Sequence, residues 1–175
     1  FKIGIYWYQP FNIFSKIPGI YYRLGGEIKR GGCSQNIKNL DNLPFPSRHL
    51  VDKYIYGRFF NNSFKHGEFT TIHTARGCPL NCRFCSEGFS NFGKCRTRSV
   101  KNMIEELKEL YDTNYRHIGI MDDTFLFDKT RANDFFESII NENINLRFYI
   151  TGSYIKSADK KLYSKMKKAG VIYMH

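Results

Sequence analysis

The stretch Arg76-Gly77-Cys78-Pro79-Leu80-Asn81-Cys82-Arg83-Phe84-Cys85 decides how this chain is read. Three of its five cysteines fall here at the spacing C-x3-C-x2-C, directly after a strand-like segment, Phe69-Thr70-Thr71-Ile72-His73-Thr74. Soft thiolates suit iron–sulfur chemistry, and three of them on one tight loop can hold three corners of a cubic cluster. The fourth iron then has no cysteine nearby and stays open to a substrate, the feature that separates a reactive metal site from a structural one. A zinc knuckle, a ferredoxin-like carrier or a chance group of buried cysteines are the competing readings. Zinc needs four ligands, usually as two paired C-x2-C units. Only Cys95 or His73 could complete that set, and neither has a partner at a usual spacing. A ferredoxin-like carrier needs a fourth cysteine at a recognisable spacing.

Outside that loop, 175 residues allow one domain, or one domain and the edge of another. A hydrophobic content of 42% with 17% aromatics supplies a packed core. No apolar run approaches the ~20 residues that cross a bilayer, and Phe1 to Tyr8 is too short and polar-flanked for a signal peptide. Cysteines crowded into one loop, with no secreted-type framework, fit a reducing cytoplasm. A chain that starts with Phe points to a fragment. The net charge of +11 would suit nucleic acid or an anionic substrate. No recognition motif accompanies it, so the lysines read as a solvated surface and a nucleic-acid partner is not expected.

From Phe69 onward strand and helix patterns alternate. Ser99 caps a helix whose apolar face is Val100, Met103, Ile104, Leu107, Leu110 and Tyr111. His117 to Met121 is a strand ending in Asp122-Asp123. Asp128 caps a second helix with Ala132, Phe135, Phe136, Ile139 and Ile140 inside. Leu146 to Ile150 is the next strand, Ser157 starts a third helix that Gly170 stops, and Val171 to Met174 opens one more strand. This order implies a parallel α/β sheet with right-handed crossovers. Periodicity leaves a closed barrel and an open doubly wound sheet equally possible. Upstream, Ile20 to Leu24 and Glu27 to Arg30 flank Gly25-Gly26 as a β-hairpin, and Asn39 to Arg48 is a proline-punctuated connector.

The cysteine spacing resembles the signature of the radical S-adenosylmethionine (radical SAM) superfamily. That resemblance implies a partial (β/α)6 barrel, here truncated after about three β/α units, with its chemistry on loops at the carboxyl ends of the strands. It implies that Cys78, Cys82 and Cys85 bind a 4Fe–4S cluster whose open iron takes S-adenosylmethionine, and that Phe84 packs near the adenine. The expected activity is reductive cleavage of S-adenosylmethionine to a 5′-deoxyadenosyl radical, for C–H activation or methyl transfer on a small-molecule substrate, with ferredoxin or flavodoxin as reductant. No catalytic residue beyond the cluster is assigned. The alternatives are a methylthiotransferase acting on tRNA or a ribosomal protein, and a non-catalytic iron–sulfur or zinc protein.

Ile17-Pro18-Gly19-Ile20, the Gly-Gly hairpin and Asp41-x-Leu43-Pro44-x-Pro46 occur in this order upstream of the cysteine loop. Their order resembles the cobalamin-associated branch of that superfamily. The resemblance divides the chain into residues 1–38, the tail of an upstream cobalamin-binding-like domain; 39–66, the connector; and 67–175, the first half of the barrel. An Asp-x-His-x-x-Gly loop, which in that branch places histidine under cobalt, does not occur in this chain. Asp122 and Asp123 correspond to the branch's acidic pair near the amino group of S-adenosylmethionine. The branch's arginine after the third strand is replaced by Thr151-Gly152-Ser153-Tyr154, so either hydroxyl contacts, with Ser153 the candidate, replace the salt bridge or the cofactor is held less tightly. Gly77, Pro79 and Gly88 shape the loop. Arg96 and Arg98 face either a carboxylate on the cofactor or substrate, or solvent. Cys95 is read as a packing residue, Cys33 as a spectator and His73 as a core residue.

Overall fold

The computed structural model describes residues 11–33, 36–51, 53–54, 58–59, 62–63, 68–80, 82–86 and 95–175. Gly88 and the expected 66/67 boundary lie outside the described residues. The chain divides into two compact units, one up to Lys38 and one from Asn39.

In the first unit, β1 (Tyr21–Leu24) and β2 (Glu27–Arg30) pair antiparallel across Gly25-Gly26. Both glycines take positive φ, +61° and +83°, the geometry of a two-residue turn whose twist matches the strands.

The second unit starts with the connector, where Asn39 caps a short turn over Leu40–Asn42. A minimal antiparallel pair follows, β3 (Arg58–Phe59) and β4 (Asn62–Ser63). Then come β5 (Phe69–Ile72), β6 (Ala75–Arg76), β7 (Arg96–Thr97), α1 (Val100–Asp112), β8 (His117–Ile120), α2 (Lys129–Asn141), β9 (Arg147–Ile150), α3 (Lys160–Lys168) and β10 (Val171–Met174). The main sheet is all parallel with the order β10-β9-β8-β5, so each new strand joins the edge left by the one before it. A doubly wound sheet needs a reversal of that order at a switch point. None occurs among these strands, and the barrel alternative is the one that fits.

Strand alternation sends Ile72, Ile118, Ile120, Phe148 and Ile150 to the helix side. There they form one core with Met103 and Leu107 of α1, Phe135 and Phe136 of α2, and Leu162 and Met166 of α3. Phe125, Phe135, Phe136 and Phe148 meet mainly edge-on at centroid distances between 5.3 and 6.4 Å. The other sheet face carries Phe69 and Tyr149 beside Met121, with Gly119 opposite Phe69 and Thr71.

Four local expectations change. The first barrel strand ends at Ile72 rather than Thr74, because Thr74 and Ala75 turn their N–H groups to Asp122. His73 is therefore exposed, not core. The third helix starts after Asp159, whose carboxylate accepts the Leu162 N–H at 3.0 Å. Ser157 lies in a preceding 3-10 turn and donates to Tyr154 O at 2.6 Å. Tyr111 and Ile140, expected on inner helix faces, are 39% and 36% exposed.

Candidate cluster and cofactor site

The site begins where β5 gives way to the cysteine loop. Asp122, two residues past β8, is buried and points back at this turn. It accepts the Thr74 N–H at 2.7 Å, the Ala75 N–H at 3.1 Å and the Thr74 hydroxyl in a short hydrogen bond. Arg131, in the first turn of α2, closes the arrangement. Its Nη1 donates to Thr74 Oγ1 at 3.1 Å and Thr74 O at 3.3 Å, and Nη2 stands 3.9 Å from Asp122 Oδ2. The guanidinium also lies over the rings of Phe125 and Phe127, at 5.5 and 5.9 Å. Burial raises Asp122 and lowers Arg131 from their ordinary pKa values, and each offsets that cost as the other's counter-charge. Arg131 Nε and Nη2 find no hydrogen-bond partner among the described residues.

The β6–β7 ribbon pairs Ala75 with Thr97 and Arg76 with Arg96. The ribbon ends before Gly77, whose φ of +88° turns the chain into Cys78. Cys95 is half-buried in the field of Arg131, Asp122, Cys78 and Asp123, and burial pushes its thiol up to about 11. Cys78 is itself buried, with Sγ 3.1 Å from Thr124 Oγ1. Cys82 and Cys85 are partly exposed on a turn closed by the Cys85 N–H donating to Cys82 O at 3.1 Å.

Phe84, on the same turn, is 94% exposed. Asp123 is exposed while its neighbour Asp122 is buried, so the adjacent acids face opposite ways. Ser153 Oγ donates to the His175 carbonyl at 2.7 Å. Gly152, at φ +75°, lies so close under the Asp122-Asp123 backbone that a Cβ there would sit 2.7 Å from Asp123 O. Thus Cys78, Asp122, Asp123 and Ser153 gather at the carboxyl end of the parallel sheet, whereas the Phe84 ring stands in solvent. Arg98 is drawn instead into a clamp with Glu106 at 2.5 Å and with the His73 carbonyl at 3.1 Å. Arg48 of the connector joins the same carboxylate at 2.7 Å.

Among the described residues no three His, Cys, Asp or Glu side chains converge as ligands of one metal ion. A cubic cluster does not require that, since its cysteines bind different irons. The donor set fits it: one thiol anchored at the sheet end and two accessible on the adjoining turn, all soft sulfur.

Sequence reasoning missed Arg131 and Thr124. A signal for Arg131 existed, because it falls at i, i+4 and i+8 with Phe135 and Ile139, a charge on an apolar stripe. Thr124 gave none.

The profile of the Radical SAM superfamily matches residues 72–175. The chain is similar to the "Uncharacterized methyltransferase PH0819" of Pyrococcus horikoshii, 32% identical over 88% of this chain and 32% of that protein. It is also similar to the hopanoid C-3 methylase of Methylococcus capsulatus, 26% identical over 91% of this chain and 29% of that protein. The chain thus spans about a third of the length of these curated relatives. Among solved structures it resembles the cobalamin-dependent S-adenosylmethionine radical enzyme OxsB, determined with aqua-cobalamin and S-adenosylmethionine bound. The TM-score is 0.65 at 19% identity, over 91% of this chain and 24% of that one, a likeness of fold.

Proposed function

The chain belongs to the radical SAM superfamily, and on that premise we propose that it is the cluster-binding part of a cobalamin-associated radical SAM methyltransferase. The observation that carries this reading is the cysteine loop at the carboxyl end of β5, backed by the buried Asp122 and Thr124. Methyltransferase relatives over most of the chain support the reaction class.

Cys78, Cys82 and Cys85 would hold the 4Fe–4S cluster. When bound, it supplies the electron that cleaves S-adenosylmethionine reductively, for C–H activation or methyl transfer. Asp123 is the carboxylate free to accept the cofactor's ammonium in a charge-assisted hydrogen bond. Asp122 positions it by fixing the turn beneath. Ser153 lies on the same rim, with its hydroxyl proton on His175 O. Phe84 would reach the adenine by folding in with the exposed Cys82–Cys85 turn. Residues 1–38 are assigned to the tail of an upstream domain, which in the full protein would carry the cobalamin. The partners proposed are a small-molecule substrate and a ferredoxin or flavodoxin, in a reducing cytoplasm. No helix among the described residues is long and apolar enough to cross a membrane.

The test is anaerobic reconstitution with iron and sulfide, then reduction in the presence of S-adenosylmethionine. Methionine and 5′-deoxyadenosine should appear in the products by mass spectrometry, and should vanish with Cys78→Ala. Stoichiometric zinc, with no cluster formed and no cleavage, would favour a structural metal site.

A further inference from the structure

We infer that the Thr124 hydroxyl donates a hydrogen bond to the Cys78 sulfur when that sulfur is a cluster ligand, and so raises the cluster's reduction potential. The inference rests on the cluster reading above. Thr124 Oγ1 lies 3.1 Å from Cys78 Sγ, and both residues are buried, at 6% and 8% exposure. In the free thiol the roles are fixed by proton count. Thr124 spends its only hydroxyl proton on the Asp123 carbonyl at 2.7 Å, so it is the Cys78 S–H that donates to Thr124 Oγ1.

Ligation removes the cysteine proton. The sulfur then has nothing to donate and carries negative charge, and the Thr124 proton has two acceptors within reach. The thiolate is the stronger of them, because a charge-assisted hydrogen bond in a water-poor setting outweighs a neutral one. The carbonyl left behind is the part-buried one of Asp123, so the exchange gives up one neutral hydrogen bond for a charge-assisted one. Rotation about one side-chain bond completes the exchange with no movement of the backbone.

That backbone is held on both sides. Asp122 before it is tied to Thr74 and Ala75, and the Phe125 N–H after it donates to Gly152 O at 2.9 Å. Cys82 and Cys85 are partly exposed, so water can reach their sulfurs. Cys78 is the buried member of the set, the position at which a single protein hydroxyl counts most. Hydrogen bonds to cluster sulfur stabilise the more negative, reduced state and shift the potential upward.

The test compares Thr124→Val, Thr124→Ala and Thr124→Ser in the anaerobically reconstituted chain. The readout is the midpoint potential of the cluster by redox titration, with resonance Raman of the iron–cysteine stretches. Valine and alanine should both lower the potential and stiffen the stretches, and serine should restore wild-type values. Unchanged potential in the hydroxyl-free variants, or an equal shift in serine, overturns the inference. So does failure of both hydroxyl-free variants to take up a cluster that serine and wild type accept, which would make the hydroxyl an assembly element. If wild type itself forms no cluster, the reading of the site fails with it, a result distinct from an unmoved potential.

Discussion

Asp122 accepts the backbone N–H of Thr74 at 2.7 Å, tying the end of β8 to the turn that carries β5 into the cysteine loop. The same carboxylate is the counter-charge of the buried Arg131. Removing one partner of a buried ion pair leaves the other uncompensated, at a cost of about 3 kcal/mol. Asp122→Ala should therefore lower the unfolding free energy by about that much, and Asp122→Asn by less, because an amide oxygen still accepts from Thr74. Urea denaturation measures both. Equal, sub-kcal effects would mean that the clasp is not stabilising.

Gly152 supplies the second test. It needs positive φ, and an added Cβ would meet the Asp122 and Asp123 backbone carbonyls. Alanine in the left-handed region costs about 1–2 kcal/mol before any clash. Gly152→Ala should exceed that figure and should disturb the rim where Asp123 and Ser153 stand. Gly25→Ala, with the same sign of φ but nothing within 4 Å of its Cβ, should show the conformational cost alone.

Glu106 is 1% exposed and holds both Arg48 and Arg98. Arg48 also donates to Thr70 Oγ1 at 3.0 Å and Thr71 O at 2.9 Å, so the connector is pinned along β5. A double-mutant cycle between Arg48 and Glu106 should give a coupling energy above about 1 kcal/mol. The exposed Lys101–Glu105 pair, at 4.0 Å, should give almost none. A near-zero value for Arg48–Glu106 would make the connector a loose linker.

His117 gives a pH dependence. Burial, then the Arg147 charge, lowers its pKa from the ordinary 6.5 against the pull of Glu68, and Nδ1 shares a hydrogen bond with Tyr149 Oη at 3.1 Å. Below pH 6.5 the unfolded chain binds a proton that the native chain refuses, so this contribution to stability is present above that pH and lost as pH falls through the lowered value. The melting temperature should drop on acidification toward pH 5, and less steeply in His117→Gln. Parallel curves would contradict the assignment.

The alternation of helix and strand, the caps at Ser99 and Asp128 and the glycine hairpin were legible in sequence, because each depends on residues a few positions apart. Strand order was not. Whether β8, β9 and β10 join one edge or two depends on packing at long range, and periodicity is the same in both. The β6–β7 ribbon, two residues a side, is too short to leave a pattern, and with it went the placement of Cys95 in the field of Cys78 and Arg131. Asp122 and Asp123 look alike in sequence, yet one is buried under Thr74 and the other exposed. Only the turn after Ile72 distinguishes them. Asp159 displaced Ser157 as the third cap because the chain makes one 3-10 turn first.

The most direct test of the central claim is electron paramagnetic resonance of the anaerobically reconstituted, reduced chain, with and without S-adenosylmethionine. The expected result is a 4Fe–4S signal that changes on addition of the cofactor. It should be lost in Cys78→Ala, Cys82→Ala and Cys85→Ala and kept in Cys95→Ser, which lies outside the C-x3-C-x2-C set. A signal that ignores S-adenosylmethionine and disappears in Cys95→Ser would mean a closed, four-cysteine cluster and would contradict the account.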